Sequence, residues 1–239
     1  MSKKKNRDML AKTGIKIVTD ISPQGAVQEE IFDCTDNMVV TGPAGTGKTL
    51  LALYGALLDV AAGHFEKIVI VRSAVATRDI GYLPGNLAEK VSVFEEPYYS
   101  VLSLLTHRDD SYAILKKHGI LNFITTSYVR GITLDDTVVV VDESQNMGQQ
   151  ELDSIITRVG RGSKIIFIGD TNSQCDLVNE RSGFKSFIRI LEATGYFEFF
   201  KLTEDDCMRS ELVKAYLKAR SASEAQSSKY LSSGDAGPR

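Results

Sequence analysis

Eight consecutive residues, GPAGTGKT from Gly42 to Thr49, have the types and spacing to hold a chain of phosphates. They fit G-x-x-x-x-G-K-[ST] at every fixed position. Gly42, Gly45 and Gly47 let successive backbone N–H groups converge on phosphate oxygens, with Pro43, Ala44 and Thr46 completing the loop. Lys48 would reach the β- and γ-phosphates, and the Thr49 hydroxyl would hold Mg²⁺. The apolar run Met38-Val39-Val40 leads into the loop, and Leu50 to Ala62 behind it reads as a buried helix. Strand, glycine loop and helix together distinguish a phosphate site from a glycine-rich turn that binds nothing, because the helix start adds its positive end.

A second carboxylate-bearing stretch is VVVVDES, Val138 to Ser144. Four β-branched residues end in Asp142 and Glu143, at the strand end where open parallel sheets bind ligands. Asp142 is placed to share the Mg²⁺ of Thr49, and Glu143 is a candidate general base for the water that attacks a γ-phosphate. A base for water favours hydrolysis over phosphoryl transfer to a metabolite. The alternative, an acidic strand end capping the next helix, loses weight once the phosphate loop is present. A third run, KIIFIGD (Lys164 to Asp170) followed by TNSQCD, brings Asp170 and Gln174 to the same edge, either to sense the γ-phosphate or as an ordinary strand-to-loop turn. Gln28, fourteen residues before Gly42, could read adenine through its amide. Taken alone, it reads better as a surface helix residue. Among Arg72, Arg78, Arg130, Arg158, Arg161, Arg181 and Arg209, one could insert at the γ-phosphoryl group, where an arginine contributes on the order of 10³–10⁵ in rate. The rest read as surface charge. His64, His107 and His118 show no metal-ligand spacing.

These groups need a scaffold that brings several strand ends to one edge. Apolar, β-rich runs at Met38–Thr41, Lys67–Arg72, Leu121–Thr126, Val138–Val141, Lys164–Gly169 and Phe197–Leu202 alternate with helical patterns at Thr49–Ala62, Gln149–Arg158 and Gly183–Thr194. That alternation predicts an α/β fold, a mainly parallel sheet with helices on both faces. Residues 1–12 read as a flexible basic tail, 13–220 as a single domain, and 221–239, rich in Ser, Ala and Gly, as a disordered tail.

Composition narrows the classes. With 239 residues, 43% hydrophobic and 25% charged, the chain can bury a full core. A net charge of −3 gives no global basic field, so a nucleic-acid site would have to be a local patch. No run has transmembrane length, and the basic start lacks the apolar stretch of a secretory signal. Cys34, Cys175 and Cys207 are odd in number and widely spaced, which argues against a disulfide framework or a zinc site and for the cytoplasm.

Taken in order, the motifs resemble the PhoH-like proteins, P-loop ATPases allied to the core of superfamily 1 helicases. The resemblance runs from about Gln28 to Tyr216. It rests on GPAGTGKT, RSAV (Arg72–Val75), DIGYLPGNLAEKV (Asp79–Val91), YVRGITL (Tyr128–Leu134), DESQN (Asp142–Asn146), TRVGRGSK (Thr157–Lys164), GDTNSQCDL (Gly169–Leu177), SGF (Ser182–Phe184) and DDCMRSELVKAY (Asp205–Tyr216). It implies a RecA-like P-loop NTPase fold, with ATP and Mg²⁺ as ligands. By position, Gln28 matches the adenine-reading glutamine, Lys48 and Thr49 the phosphate and Mg²⁺ residues, and Asp142 and Glu143 the Walker B pair. Arg209 matches the late arginine, which could act as a finger within its own chain or on a neighbour. The resemblance also implies a homo-oligomeric ring, a hexamer, doing ATP-dependent work on RNA, with short versions like this one carried by bacteria and their phages. The chain departs from the family pattern at Ser73, Ile132, Ser144 and Ser210. The stretch before Gln174 is one residue longer, which sets that glutamine one step late.

Three functions follow from these residues: an ATPase coupled to RNA or single-stranded nucleic acid, a slow ATP-binding regulatory or assembly module, and a small-molecule P-loop kinase. Glu143 and the lack of an arginine-rich lid count against the kinase. Helicase activity would need an oligomer, because the chain has one motor domain. Tyr82, Phe94, Tyr98, Tyr99 and Tyr128 could stack on bases, although core packing suits most of them better.

Overall fold

Residues such as Val138 to Val141 have no polar gap, so a strand built from them must be covered on both faces. In the computed structural model of the chain, which describes residues 9–73, 87–170 and 183–233, this is their setting. The described strands are β1 (Asn37–Thr41), β2 (Lys67–Arg72), β3 (Leu121–Thr125), β4 (Thr137–Asp142), β5 (Lys164–Gly169) and β6 (Phe197–Lys201). They form one parallel sheet in the order β3-β2-β4-β5-β1-β6. The described helices are α1 (Met9–Lys12), α2 (Ala26–Asp33), α3 (Lys48–Ala61), α4 (Leu87–Thr106), α5 (Ser111–Lys117), α6 (Gln149–Ile156), α7 (Phe184–Thr194) and α8 (Glu211–Ser233).

Strand alternation divides the core in two. Met38, Val40, Ile68, Ile70, Val138 and Val140 point to the side packed by α3, α4 and α5, where Leu53, Leu57, Leu102 and Leu115 meet them. Val39, Val69, Val71, Val139, Val141 and Phe167 point to the other side, against Leu152 and Ile155 of α6 and Phe187 and Leu191 of α7. Each buried branched side chain contributes roughly 1.5–3 kcal/mol of transfer free energy, so β4, buried along its whole length, is a rigid support for the residues at its end.

Register then aligns the functional ends. Thr41 stands level with Gly169, and Arg72 with Asp142. The loop after β1, Asp170 after β5 and the acidic pair closing β4 therefore share the carboxyl edge. β5 lies between the strand carrying the phosphate loop and the strand carrying the carboxylates.

The expected elements differ from the observed ones in informative places. α4 has no counterpart among the periodic segments read from the sequence, because Pro97 lies within it and a proline removes one helical N–H and crowds the preceding turn. The segment at Phe197 forms the outer strand of the sheet, paired among the described strands only with β1, and Phe199 on it is 38% exposed. The stretch read as a basic tail contains α1, whose Leu10 is buried in the core. The boundary expected at residue 221 falls inside α8, which continues to Ser233. Alanine, glutamate and lysine along α8 suit a helix, while its many serines resemble the composition of a disordered tail. No helix among the described residues is long and apolar enough to cross a membrane.

Candidate active site

The loop between β1 and α3 has a shape that its glycines alone permit. Gly42 has φ 154°, and a Cβ there would come within 2.7 Å of the Leu202 carbonyl oxygen. Gly45, at φ 84°, is covered by Arg209, whose Cγ would be 2.9 Å from a Cβ. Both positions combine a positive φ with close approach, so a side chain would push apart the loop and the segment that follows β6. Lys48 opens α3 and turns back over the loop, donating to the carbonyls of Gly42 at 2.8 Å and Pro43 at 2.7 Å. Burial lowers the ammonium's pKa, and the carboxylates of Asp170, Glu143 and Asp142 oppose that shift.

Asp142 organises the opposite wall. It is 4% exposed. The Thr49 hydroxyl lies 3.2 Å from both of its oxygens, the Tyr98 hydroxyl donates to Oδ2 at 3.0 Å, and the Glu143 N–H donates to Oδ1 at 3.0 Å. Burial, and then the facing carboxylate, hold the Tyr98 phenol well above its ordinary pKa, so it remains a donor. A threonine hydroxyl beside a carboxylate is a hard-oxygen pair suited to Mg²⁺, with positions left for water and phosphate oxygens.

Glu143 follows in the left-handed region at φ 54°, uncommon for a side chain of its kind and a conformation that turns it off the strand axis into the cavity. Gln145 Nε2 donates to its Oε2, and Gln145 Oε1 accepts the Asp170 N–H at 3.0 Å. One amide thus ties the end of β4 to the end of β5. Burial raises the Glu143 pKa, with the Asp142 charge acting in the same direction and Gln145, Arg72 and Lys48 opposing.

These groups line one cavity of about 550 Å³, shared by the phosphate loop, Arg72, Asp142, Glu143, Gln145, Asp170 and Arg209. Pro97, Ser100 and Val101 of α4 form another part of its wall. Arg209 lines the cavity of its own chain, through a segment fixed by the Met208 N–H to the Gly45 carbonyl at 3.0 Å. Gln28 lies outside this lining and is 1% exposed, which corrects its reading as a surface helix residue. Its Oε1 accepts the Gln24 N–H at 2.9 Å, and its buried Nε2 has no partner among the described residues. The Asp206 carboxylate approaches the start of that helix, 3.7 Å from where a Cβ on Gly25 would stand, so one segment borders both Gln28's helix and the phosphate loop. Gln174, Arg78, Arg181 and Tyr82 lie outside the described residues.

Gln145 carries no expected role in the sequence, and Tyr98 reads there as core packing or a platform for a base. Gln145 sits inside the DESQN run, two residues after the candidate base Glu143, which is the available signal. Tyr98 carried none, since only the fold brings α4 over β4. Arg72, one of several arginines in the sequence, is singled out by its register with Asp142 and by its guanidinium lying 5.7 Å from the Phe94 ring centre.

A parallel sheet with a glycine loop between its strand and helix, and a threonine–aspartate pair beside it, defines a P-loop NTPase fold. The chain belongs to the PhoH-like protein family, which matches residues 20–221. A PhoH-like protein of Bacillus subtilis (strain 168) is 37% identical over 180 residues, covering 74% of this chain and 56% of that protein. A PhoH-like protein of Mycobacterium bovis is 34% identical over 220 residues, covering 88% of this chain and 61% of its own length. The chain thus spans a little over half the length of these curated relatives. Among solved structures, the large terminase from a thermophilic bacteriophage shares the fold with a TM-score of 0.53 at 14% identity, over 83% of this chain and 50% of that one.

The Tyr98 hydroxyl can be removed without emptying its pocket. Tyr98→Phe is expected to lower stability by about 1.5–3 kcal/mol, the usual contribution of a hydrogen bond to a charged group. Urea unfolding at neutral pH reads this, and an unchanged midpoint would show that Asp142 does not depend on the phenol.

Proposed function

We propose that this chain is a Mg²⁺-dependent ATPase whose hydrolysis is coupled to RNA or single-stranded nucleic acid. The observation that carries the reading is the convergence of Lys48, the Thr49–Asp142 pair and Glu143 on one cavity. In this reading Lys48 leaves the Gly42 and Pro43 carbonyls for the β- and γ-phosphates. Thr49 and Asp142 would hold Mg²⁺, which when bound neutralises charge on the phosphate oxygens. Glu143, kept in place by Gln145, accepts a proton from the water whose oxygen attacks the γ-phosphorus, and ADP leaves with the bridging oxygen. Asp170, through its link to Gln145, is positioned to report the γ-phosphate to the base. Arg209 meets the developing charge from within the same chain. The unpartnered amide of Gln28 supports adenine as the base, read beside the segment carrying Asp206. The oligomeric ring and a cytoplasmic location belong to the same proposal.

Lys48→Ala is expected to lower ATP turnover at least about a hundredfold, the scale of losing one preorganised charge-stabilising donor. Unchanged turnover would remove the loop from the chemistry.

Glu143→Gln is expected to retain nucleotide binding while hydrolysis falls by about 10²–10⁴. The base works only when ionised, so turnover should fall as pH drops through its raised pKa. The acid limb should therefore lie above an ordinary glutamate's range and vanish in the variant. A limb at the ordinary position would mean the base is elsewhere.

If Arg209 serves its own chain, mixing Arg209→Ala with Lys48→Ala chains in verified mixed oligomers should restore no activity. Partial recovery would assign the arginine to a neighbouring site.

A further inference from the structure

A second polar surface lies beyond β3 and along α6, away from the triphosphate cavity. Two adjoining recesses, of about 420 and 340 Å³, share Arg130 and Ser154. Thr157 and Arg158 line the first, and Thr126 and Ser127 line the second. Among the described residues, neither Arg130 nor Arg158 has its guanidinium in an ion pair or hydrogen bond. The carboxylates in the lining are already engaged. Glu151 accepts from the Ser73 and Thr126 hydroxyls and from the Gly148 N–H, and Asp153 accepts from Gln149 Nε2 at 2.8 Å. The Thr126, Ser154 and Thr157 hydroxyls beside them already donate to Glu151 and to backbone carbonyls, so the groove's uncommitted donors are the two guanidinium forks, a pair suited to successive phosphodiesters. Tyr128 lines neither recess, but it is 52% exposed on the single turn that precedes Arg130 and offers, two residues from that arginine, an aromatic face of the kind on which unpaired bases stack. An acidic peptide could use the guanidiniums but would have no comparable use for the ring.

We propose that this groove binds the sugar-phosphate backbone of single-stranded nucleic acid, with Arg130 and Arg158 on phosphates and Tyr128 under a base. It deepens the ATPase reading, on which it rests, by giving the strand a place on this chain. A physical link to the hydrolysis site is present. Glu151 joins Thr126, in the groove, to Ser73, the neighbour of Arg72 in the triphosphate cavity. A strand seated in the groove thus bears on the backbone that carries Arg72.

The test is fluorescence anisotropy with labelled 20-nucleotide oligouridylate and oligothymidylate, over a series of salt concentrations, with heparin as competitor. The double variant Arg130→Ala/Arg158→Ala is expected to bind at least about tenfold more weakly. Its plot of log affinity against log salt should be shallower by about 1.4, because each single-strand phosphate contact contributes about 0.7. Arg130→Glu alone, an exposed change, should weaken binding as well. Tyr128→Ala should weaken binding without changing the salt slope. Binding of a fluorescent ATP analogue and basal turnover should be unchanged in all three. Equal binding by wild type and double variant, or no binding by wild type, would overturn the proposal. So would affinity that heparin matches and Tyr128→Ala leaves untouched, since that describes a general anion surface. The relative response to the two oligonucleotides separates RNA from DNA as the source of the backbone. Hydrolysis without oligonucleotide binding overturns the groove and leaves the ATPase reading standing, and oligonucleotide binding without hydrolysis does the reverse.

Discussion

The carboxylate of Asp142 is the constraint on which the site depends. It ends the most thoroughly buried strand, and a charge in that position is costly unless polar groups meet it. Its partners come from α3, α4 and the following backbone: the Thr49 hydroxyl, the Tyr98 phenol and the Glu143 N–H. Satisfying one anion therefore fixes the start of the phosphate-loop helix, seats a helix over the sheet edge, and bends the chain so that Glu143 takes its left-handed conformation. The geometry expected of a metal-and-base pair is also what makes the buried charge tolerable.

β5 gives the arrangement its second axis. Because it separates β1 from β4, the phosphate loop and the carboxylates are one strand apart, and the end of β5 lies between them. Gln145 spans that gap, holding Glu143 with its amide nitrogen and the Asp170 backbone with its amide oxygen. A displacement at either strand end is felt at the other through one side chain. Asp170, read as equally consistent with a simple turn, gains its meaning from this link.

Much of this was legible in the residues. The central strands announced themselves as uninterrupted apolar runs, since a strand covered on both faces has nowhere to put a polar side chain. GPAGTGKT and VVVVDES carried their chemistry in fixed spacing. What could not be read depends on packing between distant segments. Tyr98 gave no signal because its partner lies 44 positions away. Pro97 hid α4. Gln28, taken alone, reads as a surface helix residue, yet it is buried, which no local spacing announces. The alternation of elements said that a sheet existed, but which strand lay outermost followed only from the pairing of β6 with β1.

That outer strand has a wider consequence. Among the described strands β6 pairs only with β1, the same strand that ends in the phosphate loop, and the chain beyond it lies on Gly45 through the Met208 backbone before entering α8. The described chain from residue 197 to Arg209 thus rests on β1, on the core through Phe200 and Leu202, and on the loop into which β1 leads. A ligand that engages the loop and Arg209 together binds only the form in which this end is docked, and so draws the population toward that form by mass action. The fastening of the carboxyl-terminal end and the occupancy of the loop are then two readings of a single equilibrium.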